Sequence, residues 1–202
     1  MEHGWSTKWL VKQIVTSEAY QRSSIADAKS LDADPERRGF AYSHLRRLDA
    51  ESLRDSMLQS SGELIESSDG TTSISPTTKE DYRYNHPIGL RTIYLPWFRN
   101  ALPQLVREFD GPNPSFPISV RNRSTVSTQA LAMMNDPWVR SRADATVTSL
   151  GSNSEYPAIF RNILGRNPYP EEARWAEEVV EQAGLTELAH QLFASIDFRY
   201  VP

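Results

Sequence analysis

The stretch Arg121-Asn122-Arg123-Ser124-Thr125-Val126-Ser127-Thr128-Gln129-Ala130-Leu131 sets two arginines and several hydroxyls just ahead of a helix start. A helix N-terminus carries unsatisfied backbone N–H groups and partial positive charge, so it attracts anions. Arg121 and Arg123 would add planar, bidentate donors. The chemistry this permits is a small anion site near the helix start at Thr128, built from Arg121, Arg123, Thr125, Thr128, Gln129 and Asn135. The plainer account is structural: Ser127 or Thr128 caps the helix, while the arginines hold carboxylates such as Asp110 or Asp136.

Two further segments could do chemistry. Arg46-Arg47-Leu48-Asp49-Ala50-Glu51-Ser52-Leu53-Arg54-Asp55 places Glu51 and Asp55 at i, i+4, on one helix face. Paired carboxylates can do acid–base work, although the same charges serve equally well in a helix surface or a buried network. Tyr94-Leu95-Pro96-Trp97-Phe98 could line a carbohydrate or aromatic pocket, or simply join the core. No Gly-rich phosphate loop, nucleophile elbow or His-Glu-x-x-His pair is present. His3, His44, His86 and His190 never fall three or four residues apart, so no helix-borne His pair is available for a metal. With no cysteine, disulfides and thiolate sites are excluded. No catalytic residue, metal or cofactor is assigned.

Stepping along the chain, Ser6 is an N-cap for a helix from Thr7 to about Tyr20, with Trp9, Leu10, Ile14 and Val15 on an apolar face. A polar stretch follows, and Asp34-Pro35 reads as the cap and first residue of a helix that carries Phe40. Asp49 caps a helix with Leu53, Met57 and Leu58 inside, stopped by Gly62. Residues 63–81 are rich in Ser and Thr, with too few apolar groups to offset ordering entropy, and read as a long mobile loop. Tyr82 to His86 then returns to the body, and Thr92-Ile93-Tyr94-Leu95 is the best strand candidate, alone or in a short hairpin.

Leu102, Leu105, Val106 and Phe109 make a helix face that Asp110-Gly111-Pro112 breaks. Further helices carry Leu131, Met133 and Met134; Trp138, Val139, Ala143 and Val147; Pro157 to Leu164, closed by Gly165; Trp175, Val179 and Val180, opened by Pro170; and Leu188, Leu192 and Phe193, capped by Thr186. Phe198, Tyr200 and Val201 form an apolar tail that docks. The expected architecture is mainly α: an irregular multi-helix domain over residues 1–202, with about eight helices and at most one short β-hairpin.

Composition narrows the function classes. A net charge of -4 and a pI near 5.6 speak against a nucleic-acid binder. Arginine supplies 18 of the 22 basic residues, which fits either GC-rich coding or anion recognition. No apolar run approaches a membrane span, and Met1 to Ser6 lacks the pattern of a signal peptide.

The stretches His3-Gly4-Trp5-Ser6, Ile14 to Ser24, Asp34-Pro35-Glu36-Arg37, Arg46 to Asp55, and Arg91-Thr92-Ile93-Tyr94-Leu95-Pro96 resemble the planctomycete domain of unknown function 1553. The longest runs from Arg99-Asn100 through Phe109-Asp110 to Arg121–Leu131 and Asn135-Asp136-Pro137; Leu164-Gly165-Arg166 and Leu192-Phe193-Ala194-Ser195 follow. The resemblance implies a C-terminal module of large, exported proteins that often carry cytochrome-c-like and DUF1549 domains. It implies no established activity. By comparison with such modules the chain reads as truncated at its N-terminus. The expected function is a non-catalytic binding or scaffold domain, with an upstream domain or separate chain packing near Trp5, Trp9 and Leu10. The alternative is an accessory hydrolase or redox domain that uses the anion site.

Overall fold

The computed structural model describes residues 3–36, 38–66, 89–98, 102–151 and 154–201. Two parts of the sequence reading lie outside them: most of the Ser/Thr-rich loop (67–81) and the return segment Tyr82 to His86. The described residues form ten α-helices, one 3-10 turn and one two-stranded antiparallel sheet, so the fold is mainly α. The chain falls into two compact units, Met1–Arg47 with Tyr200–Pro202, and Leu48–Arg199.

In the first unit, α1 spans Thr7–Val15. The Ser6 hydroxyl accepts a hydrogen bond from the Trp9 N–H at 3.2 Å, as its cap role requires. The helix stops at Val15 rather than Tyr20, because the Thr16 and Ser17 hydroxyls donate back to Lys12 and Ile14 carbonyls at 2.7 Å. Asp27 caps α2, Ala28–Ala33, inside the stretch read as merely polar. The helix expected after Asp34-Pro35 does not form. The Asp34 carboxylate instead accepts from the backbone N–H groups of Arg38, Gly39 and Ala41, which closes a loop. Phe40 sits there at φ +54° and is exposed. Strands β1 (Arg46–Arg47) and β2 (Tyr200–Val201) pair in antiparallel register, Arg46 opposite Val201.

The second unit holds the core. Helix α3, Ala50–Ser60, starts at Asp49, whose carboxylate accepts from the Ser52 N–H at 2.8 Å, and ends before Gly62 at φ +72°. It buries Leu53, Met57 and Leu58 completely. Helices α4 (Gln104–Glu108), α5 (Ser127–Asn135), α6 (Pro137–Leu150), α7 (Tyr156–Leu164), α8 (Pro170–Ala183), α9 (Leu185–Ala194) and α10 (Ile196–Arg199) follow. Helix α9 is the hub, packed by α5, α6, α7, α8 and α10. Its Leu188, Ala189, Leu192 and Phe193 are buried, and Phe198 closes edge-on over Phe193 at 4.9 Å between ring centroids. Buried His190 presents Nε2 to the Met133 carbonyl at 3.0 Å, a satisfied core histidine.

Other expectations need correction. Thr92–Tyr94 is a 3-10 turn, not a strand, because Asp55 holds both the backbone N–H and the hydroxyl of Thr92. Met133 is buried, but Leu131 and Met134 face solvent, and Trp175 is 37% exposed while Ala176 carries the buried position on α8. Gly184, not Thr186, stands at the N-cap of α9. Neither Ser127 nor Thr128 caps α5; Val126 occupies that position without a side-chain bond.

Candidate functional site

The three segments singled out for chemistry meet at one cleft in the second unit. It encloses about 690 Å³, and its lining includes Asp49, Glu51, Ser52 and Asp55 from the start of α3, Arg91 to Tyr94 and Trp97, and Arg121. Asp49 and Asp55 project from the cap and second turn of α3, so the helix itself sets their spacing.

Most of the charge there is already committed. Arg121 grips Glu51 through two parallel hydrogen bonds of 2.6 and 2.5 Å and lies 4.0 Å from Asp49. This contact holds the Arg121 guanidinium above its ordinary value, with the Glu51 hydrogen bond the main cause. Asp55 accepts from the Thr92 N–H at 2.8 Å and its hydroxyl at 2.5 Å, and stands 3.5 Å from Arg91. Behind it, buried Arg54 donates to the Leu90 carbonyl and to Thr92 and lies over the Trp138 ring at 5.5 Å. Burial pushes the Arg54 guanidinium below its ordinary value, with Asp55 pulling it back. Arg142 also lies over that ring, at 5.3 Å, and pairs with Glu63 at 3.1 Å. These carboxylates hold turns and guanidinium groups in place.

The six residues of the expected anion site are not gathered at one point. Arg121 faces α3. Gln129 is buried and donates to the Glu108 and Ser124 carbonyls at 3.0 and 3.1 Å. Arg123, Thr125 and Thr128 are exposed, and their side chains make no hydrogen bond or ion pair with the described residues. Asn135 donates to the Leu131 carbonyl at the other end of α5. The suggested carboxylate partners also differ: Asp110 accepts from the Ser124 N–H and hydroxyl at 2.8 and 2.7 Å, and Asp136 caps α6. Among the described residues no group of three or more His, Asp or Glu side chains is placed to hold a metal, and no helix is long and apolar enough to cross a membrane.

A second feature is the uncovered face of α1. None of its nine residues is buried. Leu10, Val11 and Ile14 are 53%, 56% and 50% exposed, and Trp5 is 83% exposed just ahead of them. His3 stacks on Trp9 at 3.9 Å between ring centroids.

No curated protein matches the sequence, and no solved structure matches the fold. The family described as protein of unknown function (DUF1553) matches residues 1–180. With most of its length covered by that match, the chain belongs to the DUF1553 family.

Proposed function

We propose that the chain is a non-catalytic binding or scaffold domain whose α1 face docks another protein element, an upstream domain or a separate chain. The carrying observation is α1 itself. A nine-residue helix is marginal alone in water and normally draws its stability from tertiary packing of its apolar face. Here that face, Leu10, Val11, Ile14 and Val15, is exposed. Contiguous apolar patches rimmed by polar groups mark interaction sites, and Lys8, Lys12 and Gln13 flank this one. The committed carboxylates of the cleft support the non-catalytic part of the reading. A photo-crosslinking residue at position 10, in the protein expressed in its native host, should form a protein adduct that Ile14→Asp suppresses. Labelling no greater than from the same group at exposed Lys29 would sink the proposal.

A second reading keeps an accessory hydrolase or redox role with an anion at the start of α5. It is supported by the absence of a side-chain cap at Val126, next to exposed Arg123, Thr125 and Thr128. Sulfate should then raise the thermal midpoint, and Arg123→Ala should remove that rise; an unchanged rise in the variant excludes the site.

A further inference from the structure

The cleft continues along α3. A second hollow of about 590 Å³ shares Ser52, Asp55 and Arg91 with it and extends past Ser56, Gln59 and Asn162. Ser52, Ser56 and Gln59 follow one another at i, i+4 and i+7, so one face of α3 forms a polar floor beneath both hollows. The side chains of Ser52, Ser56 and Gln59 make no hydrogen bond with the described residues. At the far end stand Tyr94, 48% exposed, and half-buried Trp97.

This arrangement selects a ligand by chemistry. The hydroxyls of Ser52 and Ser56 and the carboxamide of Gln59 are uncharged groups that both donate and accept. Arg121 is paired with Glu51 and Arg91 lies beside Asp55, while Asp49 and Glu66 also line the hollows, so the groove disfavours an anion. An aromatic wall suits the flat C–H face of a sugar ring, and the row of mixed donors and acceptors suits its hydroxyls. Two joined hollows suit several units in line. We infer that the groove along α3 binds a neutral oligosaccharide, with a sugar ring against Tyr94 and Trp97 and its neighbours over Ser52, Ser56 and Gln59. This site is built from other residues than the α1 face, and its test is independent of that proposal.

Titration calorimetry of the whole chain with cellohexaose, laminarihexaose, mannohexaose and chitohexaose tests the inference. At least one should bind, and Trp97→Ala should weaken it tenfold or more. Trp97 packs against the core, so Tyr94→Ala serves as a second variant; its exposed side chain can be removed with the fold intact, as circular dichroism would verify. Gln59→Ala should weaken a hexasaccharide several-fold and the corresponding disaccharide less, while Arg123→Ala should change neither. Absence of binding by all four sugars overturns the inference. So does binding that Tyr94→Ala leaves unchanged, or preferential binding of a sulfated oligosaccharide or an extended peptide.

Discussion

Arg121 and Arg123 stand two positions apart and have different surroundings. Arg121 is clamped by Glu51, and Arg123 extends into solvent. The pairing joins residues 70 positions apart, so no local pattern could reveal it. The run of arginines and hydroxyls before a helix was legible; the partner of each was not. Asp110 adds a second long-range anchor. It holds Ser124 from a backbone at φ +58°, a conformation that Asp tolerates better than most residues. Gly111 follows because nothing larger fits: a Cβ there would lie 2.4 Å from Val106 Cγ1 and 2.6 Å from its carbonyl oxygen. Gly111→Ala should therefore cost about 1–3 kcal/mol in urea unfolding, as overpacking does. A loss below about 0.5 kcal/mol would mean that the α4 turn relaxes freely.

Helix boundaries divide by how local their signals are. Asp49, Asp136 and Gly165 mark their helices because cap and stop chemistry acts within a few residues. Asp34 misleads for the same reason: its carboxylate bonds backbone N–H groups four, five and seven residues on, and those bonds favour a loop over a helix. Thr92–Tyr94 has strand-like composition but takes its shape from Asp55 on another element. The start of α8 is secured by a similar long-range device. Arg166 forks onto Glu172 at 2.6 and 2.7 Å, reaches Asp197 at 2.5 Å, and lies over the Tyr169 ring. The Glu172 carboxylate is held below its ordinary value, chiefly by the hydrogen bond from Arg166, with burial opposing. A carboxylate depressed in the folded state contributes stability above its unfolded value, near 4.5, and loses it as the pH falls through the folded value. Glu172→Gln should lower stability at neutral pH and flatten the acid side of the profile between about pH 5 and 3. Parallel profiles for variant and parent would contradict that role.

At the scale of the molecule, the mainly-α architecture was legible because apolar residues recur at helical spacing from Leu53 to Phe193 and the chain offers little that can make a sheet. The hub role of α9 was not, since periodicity reveals an apolar face but not how many neighbours cover it. The same limit applies to α1. Its pattern predicts packing on Trp9, Leu10, Ile14 and Val15, and the structure leaves that face exposed. If that apolar surface serves association, it adds little to the chain's own stability. The most direct test is thermal unfolding of the double variant Leu10→Ser/Ile14→Ser by circular dichroism, beside Leu53→Ala. The expected midpoint lies within about 2 °C of the parent for the double variant, with a loss of about 2–5 kcal/mol for Leu53→Ala, whose side chain is fully buried. A loss in the double variant as large as that of Leu53→Ala would show that the α1 face stabilises the chain itself, and would contradict its assignment as a docking surface.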